Sequence, residues 1–180
     1  MLLKRERTCL LMIDVQERLV TAMDGVDRLV ANCAILLKAA ARLGVPVLLS
    51  EQYPKGLGPT VPALSALVPA VSPVPKTEFS CTAAPGYLDR LRATGRDQAV
   101  LAGIEAHVCV LQTALGLREL GYPVFVVADA VSSRQPNSVA LALARLREAG
   151  VSVVTTEMVV FEWLGKAGTP EFKELTALIK

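Results

Sequence analysis

One local pattern recurs along the chain and constrains its fold more than any other feature. A helical stretch ends at glycine and a run rich in β-branched residues follows at once, as in RLGVPVLLS (42–50), TGRDQAVLAG (94–103), ELGYPVFVVADA (119–130) and EAGVSVVTT (148–156). Glycine readily adopts the left-handed conformation that closes a helix, and unalternated runs of valine suit strands buried on both faces. The pattern therefore predicts that helices and buried strands alternate.

An opening strand and three helices complete this set of elements. The strand is TCLLMID (8–14), and residues 26–43, 107–120 and 137–149 carry apolar side chains at helical spacing, with Asn137 as the expected N-cap of the last helix. Strands that alternate with helices form βαβ units, whose parallel sheet is covered on both faces. We therefore predict a single domain over residues 1–180, with an α/β fold of three α/β/α layers around a mostly parallel sheet of about six strands.

The composition excludes several classes of protein. Hydrophobic residues make up 52% and charged residues 20% of the 180 residues, which excludes a disordered chain. The 19 Lys and Arg and the 17 Asp and Glu are spread along the chain, whereas a nucleic-acid groove or a membrane-binding patch needs clustered basic residues. Because the sequence shows no secretory signal or membrane span, we expect a cytoplasmic protein that binds neither nucleic acid nor membrane.

The cysteine and histidine content limits the chemistry further. The four cysteines (9, 33, 81 and 109) form no CxxC pair, and His107 is the only histidine. Without an export signal the cysteines are expected to be reduced thiols. A histidine-rich metal site cannot be built, and KGLGPT lacks the spacing of phosphate-binding loops. The sequence therefore predicts neither a metal ion nor another cofactor.

Residues 51–80 interrupt the alternation of helices and strands with six of the eleven prolines of the chain. An irregular excursion from the end of a strand suits the wall of an active site. In open parallel sheets, ligands bind beyond the carboxyl ends of the strands. The residues expected at this edge are Asp14, Glu51 to Tyr53, Lys76 to Ser80, Gly103 to Cys109, and Asp129 to Arg134.

Three of these residues are candidates for catalysis, and each has a structural alternative. Cys109 is expected in the first turn of a helix beginning near His107, where the helix dipole would lower the pKa of its thiol, but cysteine is also a common packing residue. Asp14 closes a buried strand, where a carboxylate is costly unless it is paired or functional, and its structural alternative is a helix N-cap or a turn residue. Lys76, in SPVPKTEFS, is either functional or a solvated surface residue.

Five further residues are candidates for contact with a small-molecule substrate. Tyr53 and Phe79 are aromatic residues in the irregular segment, which could wall a pocket or pack at its rim, and His107 could line the pocket or cap a helix. The predicted substrate-binding set is Gln16, Glu51, Tyr53, Phe79 and His107.

Taken together, these segments resemble the isochorismatase-like cysteine hydrolases, which have a Rossmann-like fold. The resemblance covers essentially the whole chain and is carried in order by LLMIDVQE, SPVPKTEFS with its K-x-x-F-S pattern, GIEAHVCVLQTALGL and VVADAVSSR. EQYPKGLGPT, together with GIEAHVC, is further similar to the isochorismatase-domain hydrolases of bacteria and animals.

The resemblance implies a catalytic triad of Asp14, Lys76 and Cys109. It also implies a cis peptide bond between Ile104 and Glu105, with the N–H groups of Glu105 and Cys109 directed at an oxyanion. Asp14 would accept the thiol proton, and the Lys76 cation would keep Asp14 ionised and favour the thiolate. The expected activity is metal-free hydrolysis of a C–N bond in a small amide or related acyl compound through a Cys109 thioester.

Two groups within this family have other specificities and suggest alternative functions for the chain. Nicotinamidases of this family hold a metal with an Asp and several His after the second strand, where this chain has EQYPKGLGPT. Isochorismatases proper cleave a vinyl ether with the Asp and need no cysteine, so Cys109 favours amide hydrolysis without excluding the ether reaction. A non-catalytic binding protein on the same fold is the third alternative.

The C-terminal part predicts an oligomer. Its first helix is more apolar than one helix face requires, and exposed apolar surface often marks an interface. The alternative is that these residues cover one face of the sheet. The residues concerned are Val159, Val160, Phe161, Trp163 and Leu164. Members of the family of this size are commonly oligomers, so we expect a homo-oligomer.

Overall fold

The structure is a computed structural model that describes residues 1–179, and a six-stranded parallel sheet forms its centre. The strands lie in the order β3-β2-β1-β4-β5-β6, and every neighbouring pair is parallel. They are β1 (Thr8–Ile13), β2 (Val47–Gln52), β3 (Val74–Lys76), β4 (Gln98–Ile104), β5 (Val124–Ser132) and β6 (Ser152–Val154). The predicted α/β class with a parallel sheet of about six strands is confirmed.

Helices cover both faces of this sheet. They are α1 (Glu17–Val20), α2 (Val26–Leu43), α3 (Pro54–Leu57), α4 (Pro62–Ser65), α5 (Tyr87–Ala93), α6 (Leu111–Glu119), α7 (Pro136–Glu148), α8 (Thr156–Leu164) and α9 (Pro170–Thr176). A 3₁₀ turn (Cys81–Ala83) precedes α5, and a π-helical turn (Ala106–Val110) precedes α6. One apolar core joins the sheet to α2, α4, α8 and α9, and a second joins it to α5, α6 and α7.

The alternation of side chains along β1 explains why the sheet has two cores. Leu10 and Met12 pack into the core on the α2 face, whereas Cys9, Leu11 and Ile13 pack into the core on the α5 face. Successive side chains of a strand point to opposite faces, so a strand that is apolar at every position must be covered on both sides.

The glycine-ended helices behave as the sequence predicts. Helix α2 has the predicted bounds, and Gly44 closes it in the left-handed conformation, with its N–H donating to the carbonyl of Ala40. Gly103 of β4 has a different role, because a Cβ at this position would lie 2.1 Å from the carbonyl oxygen of Ile13. Only glycine allows β4 to approach the end of β1 this closely.

Three details differ from the sequence-based expectations. The proline-rich segment contains a strand, β3, which forms the edge of the sheet and carries Lys76 at its end. Helix α7 begins at Pro136 after Gln135, so Asn137 is not its N-cap, because proline suits the first helical position. In α8, only Phe161 of the five apolar residues singled out above is exposed, at 43%, and the other four cover the sheet.

Two features of the whole described chain bear on its chemistry. All four cysteines are free and buried. Among residues 1–179, no helix is both long enough and apolar enough to cross a bilayer.

Candidate active site

Asp14 lies just beyond the carboxyl end of β1 and is fully buried. Its backbone adopts a left-handed conformation with φ of 53°, and its N–H donates to the carbonyl of Ser50 over 3.1 Å. The two carboxylate oxygens have separate partners: Oδ1 accepts a hydrogen bond from Ser50 Oγ over 2.7 Å, and Oδ2 accepts one from Lys76 Nζ over 2.7 Å. Asp14 is therefore a paired, buried carboxylate rather than a helix cap.

Lys76 is held at the edge of the sheet by four oxygen atoms. Its Nζ donates to Asp14 Oδ2 and to Gln52 Oε1 over 2.7 and 2.6 Å, and it lies 3.2 and 3.3 Å from the carbonyls of Glu78 and Phe79. Burial is the largest single influence and lowers the pKa of Lys76, but the charge of Asp14, the two nearby cysteines and the hydrogen bond to Asp14 together outweigh it, so that the pKa is raised overall. An ammonium group with only acceptors around it, one of them a carboxylate, stays protonated.

Cys109 lies in the π-helical turn that follows β4, and it is 5% exposed. Burial, followed by the charge of Asp14, raises the pKa of the thiol to about 12, although the Lys76 cation acts in the opposite direction. The expectation that the start of the helix lowers this pKa is therefore wrong. Desolvation and a neighbouring carboxylate outweigh the dipole of a short turn, and Cys109 rests as a neutral thiol.

The segment between β4 and Cys109 has the backbone that the resemblance implies. The peptide bond between Ile104 and Glu105 is cis. The Glu105 carboxylate accepts a hydrogen bond from Arg134 Nε over 2.9 Å. His107 is half-buried, and its Nδ1 lies 2.9 Å from Ser133 Oγ. Glu105 and His107 thus connect the Cys109 turn to the loop after β5.

Two residues of the predicted substrate-binding set have other partners. Gln16 is fully buried; its Nε2 donates to the carbonyls of Gln52 and Gly58, and its Oε1 accepts from the N–H of Gln52. Glu51 Oε1 accepts from both the N–H and the hydroxyl of Thr60. Both side chains hold the proline-rich segment against β2, which is a structural role that a single sequence does not reveal.

The two aromatic candidates lie at the surface near Lys76. Tyr53 and Phe79 are each 55% exposed. Tyr53 lines a cleft of about 410 Å³ together with three prolines and Lys76. A Cβ on Gly56 would lie 2.5 Å from the Tyr53 ring, so the ring rests directly on this glycine. Phe79 contributes its carbonyl to the shell of Lys76.

Sequence reasoning missed Ser50 and gave no role to Gln52 or Cys81. Ser50 and Gln52 occupy alternate positions of β2 and direct their side chains to Asp14 and Lys76 respectively, whereas Glu51 between them contacts Thr60. Cys81 Sγ lies 3.5 Å from Ser50 Oγ. The period of two along a strand was the available signal, because Ser50 and Gln52 share a face.

The donor set in this region does not resemble a metal site. In the part of the chain that the structure describes, no group of three or more His, Cys, Asp or Glu residues is arranged to hold a metal ion. The geometry offers a thiol, a carboxylate beside it and a fixed cation. Such a set can form a covalent bond to an electrophilic carbon and move a proton between sulfur and carboxylate.

Comparison with known proteins identifies the family. The family model described as "Isochorismatase domain" matches residues 8–158. The chain belongs to the isochorismatase family. It is 41% identical over 176 residues to isochorismatase domain-containing protein 2A of Mus musculus, covering 97% of this chain and 84% of that protein.

Solved structures of isochorismatase-like proteins share the fold. A structure of MAR1 ribonuclease from Caenorhabditis elegans has a TM-score of 0.91 and 36% identity, covering 99% of this chain and 92% of that one. The YcaC gene product of Escherichia coli, described as an octameric hydrolase of unknown specificity, has a TM-score of 0.93 and 25% identity, covering 98% of this chain and 90% of that one. Membership of the isochorismatase family supports a hydrolase.

Proposed function

We propose that this isochorismatase-family chain is a cysteine hydrolase that cleaves a C–N bond of a small amide or related acyl compound, with Cys109 as nucleophile, Asp14 as base and Lys76 as a fixed cation. The observation that carries the proposal is the position of Asp14, whose carboxylate is paired with Lys76 and lies close enough to the Cys109 thiol for its charge to raise the pKa of that thiol. A neutral thiol needs a base to become a nucleophile, and the buried carboxylate of Asp14 near it is the proposed base.

In the first half of the proposed reaction, the Cys109 S–H proton passes to Asp14 as the sulfur bonds to the carbonyl carbon of the substrate. The carbonyl π electrons move to the oxygen, and the N–H groups of Glu105 and Cys109 are the proposed donors to this oxyanion. When the oxyanion collapses, the C–N bond breaks and the proton on Asp14 goes to the leaving amine. The products of this half are a Cys109 thioester and a free amine.

The second half consumes one water molecule. Asp14 takes a proton from the water molecule as the water oxygen attacks the thioester carbon, and the C–S bond then breaks. The proton returns from Asp14 to sulfur, which restores the thiol and releases a carboxylic acid. Lys76 does not exchange a proton in either half, because its four oxygen partners hold it as an ammonium ion that stabilises the ionised Asp14.

Substrate contacts are proposed for the exposed residues around the site. Tyr53 and Phe79 are at the surface and offer apolar faces to a small molecule, and the cleft beside Lys76 has the size of a small-ligand site. His107 is half-buried and is proposed as a rim residue. Gln16 and Glu51 are assigned instead to positioning of the segment that carries Tyr53, because backbone groups and Thr60 already engage them.

The test is a search for the acyl-enzyme. A panel of small aliphatic and aromatic amides is screened by ammonia release, and reactions are quenched in acid for peptide mass spectrometry. We expect a mass gain equal to the acyl group on Cys109, and no gain on Cys109 when Asp14 is replaced in Asp14→Asn. Cys33→Ala, which removes a buried thiol from the opposite face of the sheet, is the matched control and should retain turnover.

Two results would overturn the amide proposal. Hydrolysis of a vinyl ether that requires Asp14 but not Cys109 would indicate an isochorismatase-type reaction. Tight binding of small molecules without turnover in any variant would indicate a binding protein on the same fold.

We further propose that the chain forms a homo-oligomer in the cytoplasm. The similar YcaC gene product of Escherichia coli is described as octameric, and Met158 and Phe161 of α8 are 45% and 43% exposed. The four free thiols are typical of a reducing compartment. Light scattering is expected to show a multiple of 19.2 kDa, and a 19.2 kDa species would contradict the oligomer.

A further inference from the structure

The hydroxyl of Ser50 contacts the carboxylate of Asp14, and a second thiol, that of Cys81, contacts this hydroxyl. Ser50 Oγ lies 2.7 Å from Asp14 Oδ1, and Cys81 Sγ lies 3.5 Å from the same Ser50 oxygen. Ser50 is 1% exposed and Cys81 is fully buried. Neither residue belongs to the proposed triad. Nevertheless, the buried Ser50 hydroxyl contacts its base, Asp14, and the buried Cys81 thiol contacts that hydroxyl.

The direction of these hydrogen bonds follows from the available protons. An ionised carboxylate can only accept, so the single hydrogen of the Ser50 hydroxyl points to Asp14 Oδ1. The Ser50 oxygen is then free to accept from the Cys81 S–H, which is the direction found in the structure. Because Lys76 occupies Oδ2, each oxygen of Asp14 has its own donor.

We propose that Ser50 is a positioning residue that fixes the Asp14 carboxylate for proton transfer from Cys109, and that Cys81 orients the Ser50 hydroxyl towards Asp14. This inference rests on the proposed function, because it names the device that tunes the base of that reaction. A donor on Oδ1 fixes the carboxylate plane and withdraws charge from the oxygens. With this donor, the Asp14 carboxylate stabilises the protonated Cys109 thiol less strongly than a carboxylate without a donor on Oδ1 would.

The same group of residues connects the base to the helix that follows the nucleophile. The N–H of Cys81 donates to Thr113 Oγ1 of α6 over 2.9 Å. A Cβ on Gly116 of α6 would lie 2.4 Å from Thr82 Oγ1, so the turn that carries Cys81 packs directly on this helix. The contacts that begin at Asp14 and pass through Ser50 and Cys81 therefore reach α6, the helix that follows Cys109.

The experiment measures the alkylation of Cys109 by iodoacetamide across pH, with each cysteine followed by peptide mass spectrometry, because this readout needs no substrate. In Ser50→Ala, Asp14 keeps its charge but loses the donor to Oδ1, so it stabilises the protonated form of the Cys109 thiol more strongly. We expect alkylation at a fixed alkaline pH to slow about tenfold, which is the loss typical of one hydrogen bond to a charged group. Ser50→Thr restores the hydroxyl and is expected to restore the rate.

Two further variants separate orientation from packing. Cys81→Ser retains a donor to Ser50 and is expected to react like the wild type, whereas Cys81→Ala is expected to slow alkylation by a smaller factor than Ser50→Ala. Thr156→Ala is the matched control, because Thr156 is a buried residue whose hydroxyl also donates to a carboxylate, that of Asp129, over 3.0 Å. It is expected to lower Tm without changing the reactivity of Cys109.

Turnover gives the second readout once a substrate is known. Ser50→Ala is expected to lower kcat about tenfold with little change in KM, because Asp14 loses the hydrogen bond that orients it for proton transfer. Unchanged alkylation of Cys109 across the whole pH range in folded Ser50→Ala would overturn the inference. Altered alkylation without amide turnover in any variant would contradict the proposed reaction and leave the role of Ser50 supported.

Discussion

On each face of the sheet a carboxylate lies near a buried thiol, and the two sites differ in the partners of the carboxylate. On the α5 face, Asp14 lies beside Cys109, and on the α2 face, Asp129 of β5 lies near Cys33. In both pairs, burial and then the carboxylate charge raise the pKa of the thiol. A raised thiol pKa beside a carboxylate therefore does not by itself distinguish a nucleophile.

The partners of the two carboxylates make the difference. Asp129 Oδ1 accepts from the N–H and the hydroxyl of Thr156, at the start of α8, so it stabilises the beginning of a helix. Asp14 has a buried ammonium group, that of Lys76, in the corresponding place. A fixed cation favours the ionised form of a buried carboxylate, the form that can accept a proton, whereas the partners of Asp129 at the start of α8 are a neutral N–H and a hydroxyl.

The largest expected effect comes from removal of the two thiols in turn. Cys109→Ala should lower kcat/KM by more than about 10³-fold, as expected for the loss of a covalent nucleophile. Cys33→Ala should leave turnover near the wild-type value, because Cys33 packs in the opposite core. Initial rates of ammonia release on the same amide check both variants, and comparable losses would remove the distinction between the two pairs.

Replacement of Lys76 tests whether its cation stabilises the buried carboxylate of Asp14, which is the feature that distinguishes this site from that of Asp129. Lys76→Met leaves Asp14 buried without its counter-charge, which typically costs about 3–5 kcal/mol in the free energy of unfolding. Urea unfolding measures the loss, and the double variant Asp14→Asn/Lys76→Met should recover part of it. If Lys76→Met is as stable as the wild type, the ion pair does not hold the site together.

The stability of the protein should fall at alkaline pH, and the α5 face contributes to that fall. The pKa of Cys109 is about 12 in the folded chain against an ordinary value of 9.0, so folding favours the protonated thiol. Its contribution is complete below pH 9 and is lost as the pH rises towards 12, and the raised pKa of Lys76 acts with the same sign. Thermal melts between pH 7 and 11 should decline less steeply for Cys109→Ala than for the wild type.

The smallest effect is expected at Asp129. Asp129→Asn weakens the two hydrogen bonds to Thr156 but leaves every contact of Asp14 in place. We expect a loss of about 1–2 kcal/mol in the free energy of unfolding and no change in kcat/KM. Chemical unfolding and amide turnover measured on one preparation give both values. A marked loss of turnover would show that the α2 face also takes part in the reaction.

The sequence predicts the frame of the molecule well and the fine geometry of its site less well. Helix-ending glycines and valine runs act locally, so the α2 bounds and the parallel sheet can be predicted from short segments. Strand β3 was missed because its three residues have proline at the centre, which only an edge strand tolerates. The pairing of Asp14 with Ser50 depends on contacts 36 residues apart.

The pKa of Cys109 shows the same division between local and long-range information. The start of a helix is visible in the sequence and predicts a lowered pKa. The burial of the thiol and the nearby charge of Asp14 arise only from the folded chain, and they reverse the sign.

The central claim is that Asp14 controls the proton of Cys109, and alkylation of Cys109 in Asp14→Asn tests it most directly. Removal of the carboxylate charge leaves the Lys76 cation beside the thiol, so iodoacetamide should modify Cys109 at a lower pH than in the wild type, although amide turnover is lost. Asp129→Asn should leave the alkylation of Cys109 unchanged. An alkylation profile of Cys109 that is the same in Asp14→Asn and the wild type would contradict the account.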